Sequence, residues 1–231
     1  MTFFALSRLG YTVFCISLRI PPIAIINLLK ATNCKTIACG NTPQIAASLA
    51  AVREETTLNT VYVPTKAQYE KVSTQPRFVP QFDRDVETNE IGLIMHSSGS
   101  TGLPKPVFLT HKNALTHPVQ GSGYQNFGAL PLYHIYGLST TLQAMYMAKT
   151  ANVPSAILPL TADNLMAAIE ATQPDVFHGV PYALGLLVEH PRGIAYLKSA
   201  KLVTAAGART PDELGDRLIA EGVNMGVVFG T

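Results

Sequence analysis

The sequence predicts an α/β protein built from layered, mostly parallel sheets with flanking helices. Three observations carry this reading. Short apolar runs alternate with helix-like stretches along nearly the whole chain. Helix starts and stops fall between them, such as Thr161 before one helical stretch and Gly222 after another. Hydrophobic residues make up 47% of 231 residues, enough for a packed core in one large domain or in a piece of a larger one.

Residues 11–18 (YTVFCISL) read as a buried strand rich in β-formers, with Pro21-Pro22 turning the chain into a helix over 23–32. Residues 35–39 predict a short strand. Residues 42–52 predict an Ala-rich helix with Pro43 near its start, where proline is tolerated. Residues 60–63 (TVYV) are another strand. Residues 64–89 mix Pro, Gln, charge and Thr without a period and predict a long surface connection. Strands follow at 91–96 (IGLIMH) and 106–109, and Thr110 is placed to cap a helix through Leu115.

The second half continues the rhythm. Helices are expected at 138–147, from the Thr161 cap to about Thr172 before Pro174, at 182–189 and at 212–221. Strands are expected at 155–158, 176–179, 201–205 and 224–229. No internal repeat or low-complexity tract interrupts this pattern.

Composition narrows the function classes. Charged residues are 14%, against roughly 25% in a typical soluble domain. Much of the surface is therefore expected to be covered, by the protein's own core, by another domain or by a membrane. The net charge is +2 with scattered basic residues, so the clustered basic face of a nucleic-acid binder is missing. Cys15, Cys34 and Cys39 are odd in number and form no CxxC pair. They read as small buried hydrophobes in a reducing compartment. Residues 11–29 are strongly apolar, but Arg19 sits mid-run and two prolines follow, so a spanning helix is not expected. Arg8 and the run after it match a secretory signal only weakly. A cytoplasmic location without a membrane partner follows by default. The chain opens close to one core-like strand and closes two residues after another, which suggests truncation at both ends.

The stretch most informative for chemistry is IMHSSGSTGLPK, residues 94–105, directly after a predicted strand. Gly99 and Gly102 permit positive φ and close approach of backbone to a ligand. Successive N–H groups in such a loop form an anion nest. The hydroxyls of Ser97, Ser98, Ser100 and Thr101 add donors, and Lys105 adds a point charge. In chemical terms this is a phosphate site; its alternative is a flexible Gly/Ser linker with a solvated lysine. The spacing is neither Walker A nor GxGxxG.

The string Ser97-Ser98-Gly99-Ser100-Thr101-Gly102-Leu103-Pro104-Lys105 resembles the signature loop of the adenylate-forming superfamily, which includes acyl-CoA synthetases, peptide-synthetase adenylation domains and luciferases. Thr110-His111 is similar to the "TH" that opens that family's next helix. Residues 130–137 (LPLYHIYG) resemble "PLFHxxG", Val180-Pro181 the "VP" before the acyl-pocket helix, Ala206-Gly207-Ala208 "GGA", and Phe229-Gly230-Thr231 the start of "YGxTE". The loop's flavour is similar to that of fungal synthetase-like reductases. Ala206 and Phe229 depart from the family's glycine and tyrosine.

The resemblance implies the partial N-terminal domain of an acyl-CoA synthetase-like fold over residues 1–231, without the small C-terminal lid domain. It implies ATP and Mg²⁺ as cofactors and a carboxylic or amino acid as substrate. A thiol acceptor, CoA or phosphopantetheine on a carrier-protein domain, completes the reaction. Nucleotide binding falls to residues 97–102 and Lys105, with Gly207 and Ala208 against the adenine and Phe229, Gly230 and Thr231 beyond. His134 borders the acyl and thiol path as a catalytic candidate, its alternative being a packed residue. His178, Gly179 and Val180 are candidates for the substrate pocket, with a plain strand-end histidine as the alternative for His178. The family's acidic metal ligand, ribose-binding aspartate and catalytic lysine lie beyond its "YGT", so residues 1–231 alone are expected to be inactive. The rivals are a non-catalytic nucleotide-binding fragment and a misannotated gene model. No paired carboxylates and no GxSxG elbow support a hydrolase, and Asp163 and Asp175 read as acids at element edges.

Overall fold

The computed structural model of the chain describes residues 2–72, 76, 78–97, 99, 102–155 and 158–229. They form two compact units, Met1–Asn113 and Ala114–Thr231, each taken by itself below.

The first unit runs α1 (Thr2–Arg8), β1 (Val13–Phe14), α2 (Pro22–Thr32), β2 (Thr36–Cys39), α3 (Pro43–Glu55), β3 (Asn59–Tyr62), α4 (Lys66–Glu70), α5 (Arg84–Asn89), β4 (Ile91–His96) and β5 (Pro106–Thr110). Helix α6 (His111–Thr116) follows across the division. Strand β4 lies parallel to β1 and antiparallel to β5, and β2 pairs parallel with β3. Local chemistry explains the helix starts. The Thr42 hydroxyl accepts from Ile45 N–H ahead of Pro43, and Pro22 opens α2. Ile25, Ile26, Leu29 and Val52 bury against one another between α2 and α3.

The second unit runs β6 (Asn126–Gly128), α7 (Ile135–Tyr146), β7 (Ala151–Asn152), α8 (Ala162–Thr172), β8 (Val176–Gly179), α9 (Pro181–Glu189), α10 (Gly193–Ser199), β9 (Leu202–Ala205), α11 (Asp212–Ala220) and β10 (Met225–Val227). Its sheet has the order β10-β9-β8-β6-β7, with every pair parallel. Thr161 caps α8 by accepting from Asn164 N–H at 3.2 Å, and Gln173 ends it in the left-handed region before Pro174. Phe127, Phe177 and Val203 are fully buried on the face packed by residues of α8, α9, α10 and α11. The two phenyl rings stack at 5.9 Å.

The α/β expectation, with mostly parallel sheets, holds. Particular elements differ. The strand expected over 11–18 shrinks to Val13–Phe14, since Tyr11 and Leu18 are more than half exposed, and a helix precedes it. The connection expected over 64–89 contains α4 and α5, each opened by a polar N-cap, Thr65 and Asp83. The strand expected at 155–158 falls partly outside the described residues, at Ala156 and Ile157; the strand that pairs is β7. The last strand stops at Val227, and Phe229 is 91% exposed. The three cysteines are free and only partly buried. Burial nevertheless pushes the Cys15 thiol up to about 11. Asp163 pairs with His190 at 3.6 Å and Asp175 with Lys201 at 2.9 Å. Among the described residues no helix is long and apolar enough to cross a membrane.

Candidate active site

In the first unit the predicted phosphate-binding residues lie on the β4–β5 hairpin. Antiparallel pairing puts His96 opposite Pro106, so the chain between them must reverse direction. Ser97 and Lys105 close the neck. Ser97 N–H donates to the Lys105 carbonyl, and Lys105 N–H donates to the Ser97 hydroxyl, both at 3.0 Å. Inside the neck, Gly102 N–H donates to the Gly99 carbonyl at 3.1 Å. Gly99 has φ +75°, and a Cβ there would sit 2.7 Å from the Gly102 carbonyl oxygen. Gly102 has φ +154° and faces open space. The turn is thus one that only glycine closes without strain. Lys105 is exposed. Ser98, Ser100 and Thr101, expected as phosphate donors, lie outside the described residues.

Two neighbouring segments anchor the hairpin. His96 Nδ1 lies 2.9 Å from the Ser97 carbonyl, and Ser17 N–H donates to His96 Nε2 at 3.1 Å. An accepting Nε2 assigns the proton to Nδ1, and so fixes a neutral tautomer. Asn27 of α2 donates to the carbonyl of the buried Pro104 at 3.4 Å. Thr110 accepts from Asn113 N–H at the start of α6. The His111 ring lies over Gly92, where a Cβ would come within 2.5 Å of it. The "TH" pair therefore does structural work behind the hairpin.

In the second unit every predicted site residue that is described falls at the carboxyl end of the parallel sheet. His134 follows β6 and is the N-cap residue of α7. His178 and Gly179 end β8, and Val180 is the N-cap residue of α9. Gly207 and Ala208 follow β9, and Phe229 follows β10. Open α/β sheets bind ligands at this edge. Gly230 and Thr231 lie outside the described residues.

Close backbone approach sets this edge. Gly137 sits where a Cβ would meet the Pro131 and Leu130 carbonyl oxygens at 2.5 and 2.8 Å. The chain ahead of α7 therefore folds back onto its first turn, with His134 N–H donating to the Pro131 carbonyl at 3.1 Å. Gly207 has φ +82°, its α-carbon against Val180. Ala206, where the family pattern has glycine, is 5% exposed and packs with Leu130 and Tyr136, so its methyl fills space.

Beneath this edge lies a polar trio. Tyr136 Oη, Thr204 Oγ1 and His178 Nδ1 are joined. Tyr136 hydrogen-bonds to Thr204, and Thr204 lies 2.6 Å from the His178 nitrogen. All three side chains are at most 9% exposed. Burial, and then the His117 ring, pull the His178 imidazole down to about 4, so it is neutral at pH 7. Burial pushes the Tyr136 phenol up against the opposing effect of its bond to Thr204. Sequence reasoning singled out His178 but not the Tyr136 and Thr204 to which it is joined. The available signal was a lone polar Thr204 inside the apolar run LVTA.

The predicted site residues thus fall in two separate groups. The hairpin belongs to the first unit; His134, His178, Gly179, Val180, Gly207, Ala208 and Phe229 belong to the second. The hairpin neck, with its two positive-φ glycines, suits an anionic group. Among the described residues no group of three or more His, Cys, Asp or Glu side chains could hold a metal ion. Magnesium is therefore given no protein ligands here. A hollow of about 330 Å³ between α8 and α10 and a groove of about 520 Å³ between α9 and α11 hold none of the predicted site residues.

The model of the "AMP-binding enzyme" family matches residues 1–231. The adenylate-forming reductase stbB of Stachybotrys bisbyi is 28% identical over 242 aligned residues, covering 99% of this chain and 22% of the relative. The chain thus spans about a fifth of that relative's length. The inhibitor-bound N-terminal domain of FACL13 from Mycobacterium tuberculosis superposes with a TM-score of 0.80 at 17% identity, covering 99% of this chain and 58% of that one. O-succinylbenzoate coenzyme A synthetase from Bacillus subtilis, in complex with ATP and magnesium ion, gives a TM-score of 0.71 at 16% identity, covering 96% and 45%.

Proposed function

We propose, from the premise that this chain belongs to the AMP-binding enzyme family, that it supplies the nucleotide grip and part of the acid pocket of an ATP-dependent carboxylate-activating enzyme. The carboxylate oxygen attacks the α-phosphorus of ATP. The bond to the bridging oxygen breaks, pyrophosphate leaves, and an acyl-adenylate remains. A thiol then attacks the acyl carbon and AMP leaves. Similarity to a fungal adenylate-forming reductase favours a phosphopantetheine thiol on a carrier domain, with CoA as the other candidate acceptor. The free thiols at Cys15, Cys34 and Cys39 suit a reducing, cytoplasmic setting.

The observation that carries this reading is the closed β4–β5 neck with Gly99 and Gly102 at positive φ. Backbone N–H groups displayed by such a loop are fixed before the reaction, so they stabilise charge arriving on the leaving pyrophosphate without reorganising. Lys105 adds a cation beside them. Mg²⁺ would travel with the triphosphate, and no protein ligand for it is assigned. Strand ends and the N-termini of α7 and α9 offer the acid its place in the second unit.

Calorimetric titration of ATP into the wild-type chain and into a Thr101→Ala/Lys105→Ala double variant tests the grip. Affinity should fall about tenfold or more in the variant, the scale of losing charge-assisted bonds. Equal affinity in both refutes the assignment. Residues 1–231 alone are expected to bind nucleotide without turnover. Acid-dependent pyrophosphate exchange at the rate of an intact adenylating enzyme would refute that expectation.

A further inference from the structure

Ser97 has all three of its polar groups committed. Its N–H donates to the Lys105 carbonyl, and its hydroxyl accepts from Lys105 N–H, both at 3.0 Å. Its carbonyl lies 2.9 Å from His96 Nδ1. The first two bonds close the hairpin neck. The third sets the plane of the peptide with which the loop opens, because a peptide carbonyl turns only with its whole planar unit. His96 is held in turn by Ser17, whose backbone N–H donates to Nε2 at 3.1 Å.

Both partners of the ring are backbone groups with fixed roles. An N–H can only donate and a carbonyl can only accept. Nε2 must therefore be bare, and Nδ1 must carry the proton. A second proton would go on Nε2 and set two donors against each other 3.1 Å apart. One of them has to yield. Ser17 is 3% exposed, and its hydroxyl accepts from Arg19 N–H at 3.0 Å. The His96 ring is only partly buried, so the ring is the one to swing away, and it takes Nδ1 off the Ser97 carbonyl. The segments bonded to the ring and to the hairpin offer an imidazolium no counter-charge. Residues 13–32 and 91–110 contain no carboxylate, and their titratable side chains are Cys15, Arg19, Lys30, His96 and Lys105.

We propose that His96 is a positioning residue of the nucleotide loop, holding it through Ser97 in the neutral form and releasing it when Nε2 takes a proton, so that ATP binding at this hairpin weakens as pH falls. This rests on the nucleotide-grip reading and adds its regulation. The ring acts through the Ser97 carbonyl rather than by touching the nucleotide.

Calorimetry of ATP with Mg²⁺ at pH 8.0 and pH 5.5, on the wild-type chain and on His96→Gln, tests this. Histidine is the side chain that ordinarily titrates in this window, and glutamine does not. Titration of ATP itself, and of the histidines other than His96, is common to both proteins. Between the two pH values the wild-type affinity should fall about fivefold more than the variant's, the scale of one hydrogen bond. His96→Asn, also without a titrating ring, should behave as His96→Gln does. A merely structural histidine would, when replaced, weaken binding alike at both pH values. In ¹⁵N NMR the neutral ring should show the Nδ1–H tautomer, and the Ser17 amide signal should titrate with the ring. Parallel losses in wild type and variants, or an Nε2–H tautomer, overturn the proposal and leave the nucleotide reading intact. A wild-type affinity that rises in acid relative to the variants also overturns it, since the ring would then attract phosphate as a cation. ATP binding by none of the three proteins at either pH refutes the nucleotide-grip reading itself, and this proposal with it.

Discussion

Ser97 and Lys105 hold each other twice across the neck of the hairpin, each contributing a backbone N–H, with the Lys105 carbonyl and the Ser97 hydroxyl as acceptors at 3.0 Å. Only one of the two bonds depends on a side chain. The serine therefore adjusts the neck, and the strand register of His96 with Pro106 maintains it.

Ser97→Ala removes that side-chain bond and leaves Lys105 N–H to exposed solvent. The stability cost should be small, about 1 kcal/mol or less. Nucleotide affinity should fall further than stability, because a looser neck displays the loop's donors in more orientations. Urea midpoints and ATP calorimetry on the same variant separate the two; a large stability loss with unchanged affinity would reverse this ordering.

Gly99→Ala should be worse than an ordinary substitution at a left-handed glycine. Gly123 supplies the control, with φ +78° against +75° and nothing within 4 Å of its would-be Cβ. Backbone strain, about 1–2 kcal/mol, is common to both. Only Gly99 adds a methyl 2.7 Å from the Gly102 carbonyl oxygen, which must move and open the turn. Thermal unfolding should rank Gly99→Ala below Gly123→Ala, and only the former should lose ATP binding. Equal behaviour would mean that the turn is not the grip.

Gly137 tests the second unit. Inside α7, alanine ordinarily gains about 1 kcal/mol over glycine. Here its Cβ would press on two backbone carbonyl oxygens, those of Pro131 and Leu130. Backbone cannot rotate away as a side chain can, and overpacking of this kind costs about 1–3 kcal/mol. The net change in Gly137→Ala should therefore be destabilising, read as a lower urea midpoint. A stabilised variant would show that the segment ahead of α7 yields freely.

The sequence was most legible where one local signal decides an element. Thr161 and Pro174 bracket α8, and the apolar run IGLIMH is β4 to the residue. It was least legible where tertiary context overrides propensity. Strand β6 is Asn126-Phe127-Gly128, two poor β-formers around one phenylalanine, yet it lies between β8 and β7 and buries completely. Helix α10, opened by Gly193, gave no cap signal, because the bond that closes its start, Gly193 N–H to the His190 carbonyl, is made by backbone alone. The turn after β4 was legible because glycine spacing reports backbone conformation directly, and Gly99 and Gly102 both take positive φ. Tyr136 and Thr204 were not, since a cross-strand, cross-helix hydrogen bond has no spacing in sequence.

His178 makes the fold acid-sensitive in a defined window. In the unfolded chain its imidazole titrates near 6.5, and in the fold near 4. Above pH 6.5 both states are neutral there and the residue contributes no pH dependence. Between 6.5 and 4 the unfolded chain binds a proton that the native one refuses, so stability falls as pH falls. The loss should be about 2 kcal/mol at pH 5 and should level off near 3 kcal/mol below pH 4, where both states are protonated. Burial is the larger cause, and repulsion from the nearby His117 ring acts in the same direction. Carboxylates also lose native interactions in acid, so the comparison must be with a variant. Urea unfolding of wild type and His178→Asn at pH 7.5 and pH 5 isolates the residue. The wild type should lose about 2 kcal/mol more than the variant between the two values. Parallel losses would mean that His178 titrates alike in both states, and that burial does not hold the ring neutral.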